Sequence, residues 1–324
     1  MSTTKQRVLK ILITHPQQWC SGDALARELA VSRESISKAV ARLRRNGHQI
    51  ESRTKRGYRY LQGTQLDADA IQMLAPAFPG TVTAVPTTAS TQWLAKQALR
   101  ATGTVQAAAF LADEQTAGYG RRGRAFYSPK NTGLYLSLVL PNPDVDLRQS
   151  GLLTTGVAVN VVRVLQRFYP GVDFGLKWVN DIEVAHHKVG GIITEADVEV
   201  EADAVTAFVV GIGLNLTTTN FPDELASQAA AIAPTHVVDR NQLAAALLTQ
   251  LVAAYQRFPD ETDLAAYRRQ SVILGRPVQL QTGQRTVSGI ARTIDDQGAL
   301  VLEHPDGTCH HYLSGEVVRV HPAN

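Results

Sequence analysis

The sequence predicts a multidomain α+β protein in three parts: a small basic helical module, a mixed α/β core and a short all-β segment. Three observations carry this reading. At 324 residues the chain exceeds one ordinary domain. Its charge is partitioned, because residues 1–62 hold 13 Lys and Arg against four acids, a net of +9, whereas the rest holds 19 against 25, a net of −6. Its hydrophobic pattern also changes along the chain, from helical spacing, to strands alternating with helices, to short strands separated by turns. No tract is apolar enough to span a bilayer, so no membrane association is expected. The opening MSTTKQRVLK lacks the apolar stretch of a signal peptide. Cys20 and Cys309 are the only cysteines, too few for a disulfide framework, and a reducing cytoplasm fits.

The basic segment, residues 1–62, reads as a winged helix-turn-helix. Lys5–Thr14 places Val8, Leu9, Ile11 and Leu12 at helical spacing, and Ser21-Gly22 opens a second short helix. Ser32 is a good N-cap for a third, in which Ile36, Ala39, Val40 and Leu43 share one face. The opposite face presents Arg33, Ser35, Ser37, Lys38, Arg42 and Arg45. Two strand-like runs follow, His48–Glu51 and Tyr58–Leu61, around a hairpin tip at Ser52–Gly57 that carries Lys55 and Arg56. Such a helix suits the major groove with the hairpin on phosphates alongside, so DNA is the expected partner. A winged helix used for protein contact is the alternative.

Gln62–Asp69 is polar and reads as a linker, after which residues 67–270 form a mixed α/β core large enough to bury a substrate pocket. Strand-like runs at Ala107–Ala112, Leu134–Leu140, Gly190–Glu195 and Ala207–Ile212 alternate with helical stretches at Ser90–Ala101, Gly151–Tyr169 and Asn241–Phe258. Gly118–Gly123 matches G-x-G-x-x-G, but Arg124-Ala125-Phe126-Tyr127-Ser128-Pro129 follows where a dinucleotide fold requires a helix. A Rossmann site is therefore excluded. What remains is a glycine loop with Arg121, Arg122 and Arg124, whose backbone and guanidinium groups suit a phosphate. Three further clusters stand out: Lys177-Trp178-Val179-Asn180-Asp181, Lys188–Glu195 and Gly211–Leu216. The first joins a cation, a stacking plane and polar oxygens. The glycines of the last suggest close approach of a ligand to a strand. His186-His187 lacks further ligands, and no protein-held metal site is expected.

Residues 271–324 show short strands at Val278–Gln281, Thr286–Ala291, Ala299–Glu303, Thr308–Leu313 and Glu316–Val320. Asp295–Gly298 and Pro305-Asp306-Gly307 are turn sequences. This spacing predicts a small SH3-like β-barrel, packed on the catalytic domain.

In this order, the central clusters resemble the biotin protein ligase family over nearly the whole chain. The family's Ser-Thr-Asn, Gln with G-R-G-R-x-G-R, K-W-P-N-D, K-x-G-G-I-L-x-E and G-x-G-x-N segments correspond to Ser90-Thr91-Gln92, Gln115 with Gly118–Arg124, Lys177–Asp181, Lys188–Glu195 and Gly211–Asn215. Gln92 stands where the family has Asn, Tyr119 where it has Arg, Phe126 where it has Trp, and Val179 where it has Pro.

The resemblance implies a class II synthetase-like catalytic fold. It also implies an ATP-dependent enzyme that makes biotinyl-5′-AMP with Mg²⁺ and transfers biotin to a lysine of a biotin carboxyl carrier protein. Ser90, Thr91, Gln92, Gln115, Gly118, Gly120, Arg121 and Gly190 would bind biotin. Arg122, Gly123, Arg124, Phe126, Asn180 and Asn215 would bind the nucleotide, and Lys177 and Arg121 would be catalytic at the junction. The winged helix marks the subgroup that also represses biotin genes, which implies operator DNA and a homodimer formed with biotinyl-AMP bound. A lipoate-type ligase shares the adenylate strategy, but lacks both the arginine loop and the winged helix. A non-enzymatic biotin-sensing repressor would not need Lys177.

Overall fold

The computed structural model describes residues 3–102, 105–142, 145–199 and 204–320. Helix α1 (Thr4–Thr14) starts where Thr3 and Gln6 form a reciprocal capping box. Ser21 caps α2 (Gly22–Leu29), which ends at Ala30 with φ 52°. Ser32 accepts the Ser35 amide to begin α3 (Arg33–Arg45). Val8, Leu9, Leu12, Leu25, Ile36, Val40 and Leu43 close a small core, to which Ile50 and Tyr60 add from an antiparallel hairpin. Its strands are β1 (His48–Arg53) and β2 (Gly57–Gly63), so the tip is narrower than expected, Thr54–Arg56. Gly57 sits at φ +96°, and a Cβ there would lie 2.1 Å from the Cys20 carbonyl, because Cys20 pairs with Tyr58 beside the hairpin. The winged helix-turn-helix of the sequence reading is formed.

The stretch after it is a fixed seam and not a loose linker. The Asp239 carboxylate accepts from the Gly63 amide (2.8 Å), and Arg240 donates to the Thr64 carbonyl (2.9 Å). Asn241 donates to the Gln65 carbonyl (3.0 Å) and accepts from the Asp67 amide (2.8 Å). Backbone groups buried at such a seam need partners, and the Asp239-Arg240-Asn241 run supplies them. Asp67 then caps α4 (Ala68–Leu74), which gives Ala70 to the first core and Ile71 to the second.

The central sheet has seven strands: β3 (Thr81–Val85), β4 (Ala108–Ala112), β5 (Gly133–Pro141), β6 (Phe174–Lys177), β7 (Asp181–Val184), β8 (His187–Glu199) and β9 (Ala204–Asn215). Their order is β3-β4-β5-β9-β8-β7-β6, antiparallel except for the β3–β4 pair. Five helices accompany it: α5 (Thr91–Thr102), α6 (Ser150–Phe168), the short α7 (Asp223–Ala226), α8 (Arg240–Tyr255) and α9 (Glu261–Gln270). Strand β5 is apolar almost throughout because both faces are covered. Leu134, Leu136, Leu138 and Leu140 point into the α6–α8 core, while Val139 meets Ala95 and Leu99 of α5 on the other side. Ser137 lies on that second face, and this alternation brings the start of α5 against β5.

The last part is one antiparallel sheet of β10 (Pro277–Thr282), β11 (Arg285–Ile294), β12 (Leu300–Glu303), β13 (Cys309–Tyr312) and β14 (Glu316–Val320), in the order β13-β12-β11-β10-β14. Among the described residues the edges β13 and β14 do not pair, so the expected closed barrel is an open sheet. Strand β13 is four residues long and mostly exposed, which leaves it no apolar face to close upon. The inner face, with Val278, Leu280, Ala291, Leu300, Leu302 and Val317, is continuous with the central core. The Trp178 indole adds a 3.1 Å hydrogen bond to the Gly298 carbonyl. No helix among the described residues is long and apolar enough to cross a membrane.

Candidate functional site

A cleft of about 910 Å³, counted to its open mouth, lies between the start of α5, the glycine loop, the sheet and the first residues of β14. Its inner end is built from buried polar groups. Ser90, Thr91 and Gln92 are 3%, 3% and 2% exposed. The Thr91 amide and hydroxyl both donate to Gln115 Oε1 (2.8 and 3.1 Å), and Gln115 Nε2 donates to Ser128 Oγ (2.9 Å). Thr91 and Ser137 share a further 2.9 Å hydroxyl contact. Gln92 spends both amide hydrogens inside the protein, on Glu195 (2.8 Å) and the Val209 carbonyl (2.9 Å), while its oxygen accepts from Ser137 (2.9 Å). A direct bond from its NH₂ to a ligand would have to displace one of these.

The alternate glycines of β9 line the cleft, where the sequence reading expected close approach of a ligand, and side chains also settle on them. A Cβ on Gly211 would lie 2.7 Å from Gln92 Oε1, and one on Gly213 would lie 2.5 Å from the Phe126 ring. Their spacing of two is the strand period, so both lie on the face where side chains of α5 and the loop settle against the sheet.

The loop itself turns tightly, with Arg122 at φ 58° and Gly123 at φ +70°. Arg121 donates to the Gly315 carbonyl (3.1 Å), Arg122 to the Gln281 carbonyl (3.4 Å), and Arg124 pairs with Glu316. Burial, with the neighbouring Arg122 charge, lowers the Arg121 pKa, and Asp181 and Glu316 oppose this. Gly118 forms the base of the loop: a Cβ there would meet Gln115, Ser128 and the Phe126 carbonyl within 3 Å.

On the opposite wall, Lys177 ends β6 with its ammonium 3.8 Å from Glu183. Burial raises the Glu183 pKa, and the Lys177 charge works against that rise. Asn180 donates to the Ile192 carbonyl (3.0 Å) while its own carbonyl takes the Ile192 amide (2.9 Å), fastening the turn before β7 to β8. Asp181 pairs with Lys188 at 2.6 Å. The peptide bond between Trp178 and Val179 is cis.

Ser90, Thr91, Gln92, Gln115, Gly120, Arg121, Arg122, Arg124, Phe126, Lys177 and Asn180 therefore meet in one cleft. Gly118, Gly123, Gly190 and Asn215 do not reach its wall. Gly190 faces Leu214 and Ile182, and it is Gly191 that lines the cleft. Asn215 is buried at the end of β9, its side-chain oxygen without a partner. The sequence reading missed Lys96, Ser137, Glu183 and Glu316. Only Lys96 left a signal, as it stands four residues after Gln92 on the same helix.

On the winged helix, Ser37, Arg42, Arg45, Lys55 and Arg56 are exposed. Arg33 is paired with Asp23 and Lys38 with Glu34, and Ser35 belongs to the cap of α3. Beside the wing, the Arg53 and Arg59 guanidiniums stand 5.4 and 4.9 Å from the Trp19 ring.

These features define a class first: a helix-turn-helix module fused to a ligase-type α/β domain. Residues 84–215 match the profile of the Biotin/lipoate A/B protein ligase family, residues 273–320 that of the biotin protein ligase C-terminal domain, and residues 4–59 an HTH domain. The bifunctional ligase/repressor BirA of Salmonella typhimurium is 32% identical over 310 residues, covering 92% of each chain. The Escherichia coli BirA is 32% identical over 305 residues, again with 92% of each chain covered. Among solved structures, the biotin protein ligase from Aquifex aeolicus in complex with biotin and ATP superposes with a TM-score of 0.61 at 26% identity, covering 72% of this chain and 96% of that one. The chain belongs to the bifunctional biotin protein ligase family.

Proposed function

We propose that this chain activates biotin with ATP and transfers it to a carrier lysine, and that its winged helix represses biotin genes. The observation that carries the reading is Lys177, a cation in a cleft that joins the buried Ser90–Thr91–Gln115 end to the arginine loop. The carboxylate of biotin attacks the α-phosphorus of ATP, and pyrophosphate leaves. Anion meets anion in that step, so Lys177, with Arg121, stabilises the charge that develops there. Ser90, Thr91 and Gln115 hold the ureido ring. Arg122, Arg124, Phe126 and Asn180 form the nucleotide side, with Gly120 leaving space over the adenylate. Gly118, Gly123, Gly190 and Asn215 act from behind this wall by shaping the loop and the floor. The mixed anhydride waits under the loop until a carrier lysine amine attacks its carbonyl carbon, expels AMP and loses a proton.

Mg²⁺ would neutralise charge on the triphosphate. Asp181, in the wall of the cleft, is the carboxylate that would hold the ion.

Three domains, 1–62, 67–270 and 271–324, divide these tasks. The seven-stranded sheet is read as class II synthetase-like, and the β10–β14 strand order as an unclosed SH3-like module. Arg33, Ser35, Ser37, Lys38, Arg42 and Arg45 of α3 would face the major groove, with Lys55 and Arg56 on phosphates; Arg33 and Lys38 must exchange their ion pairs to do so. One winged helix covers a half-site, so repression calls for a homodimer, formed with biotinyl-AMP bound. Coupling of this kind amounts to roughly 5–150-fold in dimer affinity. Sedimentation with and without biotinyl-AMP tests it, and equal dimerisation in both states removes the mechanism. The enzymatic reading is tested by incubating the chain with ATP, biotin or lipoate, and a biotin carrier domain. A carrier mass increase with biotin alone is expected. Labelling by lipoate instead, or no labelling, would overturn it.

A further inference from the structure

Two positions that depart from the family's segments, Gln92 and Tyr119, converge on one carboxylate. Glu195 of β8 accepts from Gln92 Nε2 (2.8 Å), Lys96 Nζ (2.6 Å) and the Tyr119 hydroxyl (3.1 Å). The Lys96 ammonium also lies 3.4 Å from that hydroxyl and 5.9 Å from the centre of the Tyr119 ring. Gln92 and Lys96 are one helical turn apart on α5, so they address Glu195 together. The side chains of Lys96 and Glu195 are 30% and 28% exposed, shielded enough for the contact to persist. Burial acts to lower the Lys96 pKa, but the hydrogen bond and charge of Glu195 leave it raised, and burial and Glu195 raise that of the Tyr119 phenol. At neutral pH the phenol is therefore a donor and the ammonium stays charged.

This contact sits at one side of the glycine loop, while Arg121, Arg122 and Arg124 fix the other side to β10 and β14. Within the loop the Gly120 amide donates to the Arg124 carbonyl (2.8 Å), which ties its two halves together. We propose that Tyr119 is a positioning residue: Glu195 and Lys96 hold its hydroxyl, and through it one side of the loop, so that Arg121 is kept in the wall of the cleft. Lys96 and Tyr119 are matched, because an arginine at 119 would face the Lys96 ammonium. The idea rests on the ligase reading for its consequence, adenylate retention, but not for the anchor itself.

The test is hydrogen exchange of loop residues 117–126 in the full-length protein, with and without biotinyl-AMP, together with biotinyl-AMP dissociation. Tyr119→Phe keeps the ring and loses the hydroxyl; it is expected to speed both loop exchange and dissociation at least about tenfold, the worth of one hydrogen bond to a charged group. Tyr119→Arg is expected to do more, and adding Lys96→Met to it should return exchange toward the wild-type rate. A merely structural tyrosine would not be rescued by removing a lysine. Unchanged loop exchange in Tyr119→Phe, or additive effects in the Tyr119→Arg, Lys96→Met pair, would overturn the anchor. Faster exchange with no adenylate bound in any variant would uphold the anchor and sink the ligase reading.

Discussion

Replacing Lys177 by alanine separates catalysis from folding more cleanly than any other change in the cleft. Among the described residues the lost ammonium has one ion pair, Glu183 at 3.8 Å, and that carboxyl's pKa is already pushed up by burial. Without Lys177, the charge that holds the Glu183 pKa down is gone, so the carboxyl can take up a proton instead of remaining as a stranded buried anion. The fold therefore survives. The chemistry does not, because two anions must meet where the cation stood. Loss of one such preorganised contact costs about 10²–10³ in rate, roughly 2.7–4 kcal/mol of barrier. Pyrophosphate release in the presence of biotin and ATP reads this directly. Denaturation at several pH values reads the partner.

A carboxyl with a raised folded-state pKa binds more protons folded than unfolded, so its contribution is present below the unfolded pKa and is lost as pH rises through the folded pKa. Lys177→Ala should thus lose more stability than the wild type as pH rises from the ordinary carboxylate range towards neutrality. Pyrophosphate release within a few-fold of wild type would refute the catalytic role. A variant that loses no more stability than the wild type over that pH range would refute the pairing with Glu183.

Three other outcomes follow from the same geometry. Arg121→Gly removes the donor to Gly315 and loosens the loop, so adenylation should slow and the biotinyl-AMP that still forms should escape and label stray lysines; an unchanged dissociation rate counts against it. Arg240→Met strands the buried Asp113, 2.6 Å from the guanidinium, and should cost about 3–5 kcal/mol, seen as a melting-temperature drop of several degrees; a shift within experimental error would rule out a structural role for the pair. A fragment beginning at Asp67 should lose operator binding yet still biotinylate a carrier, with lower stability because Asp239 and Asn241 lose Gly63 and Gln65; salt-sensitive, sequence-specific DNA binding by that fragment would contradict the division of labour.

What was legible in the sequence was local. The caps at Ser21 and Ser32, the buried stripe of α3 and the long apolar β5 each follow from neighbours in the chain, and so they were readable from spacing alone. The seam at 63–67 was not, because the groups that satisfy it come from Asp239, Arg240 and Asn241, far along the chain. The same distinction runs through the cleft. Lys177, Asn180 and the loop arginines belong to compact clusters and stand out as such. Glu195 lies at the end of one cluster, Lys96 within an ordinary helix, and Tyr119 in a loop that usually carries arginine, so nothing in the order of residues ties them together. Gly211 and Gly213 stand between: their pattern was visible and both line the cleft, but the side chains that settle on them were not legible. A glycine in a strand announces that something comes close. That Gln92 and Phe126 do so here is visible only where α5 and the loop fold over β9. The departures from the family pattern thus change packing as well as chemistry: Gln92 is longer than the asparagine it replaces, and it spans from Ser137 across to Glu195 in the space left by Gly211.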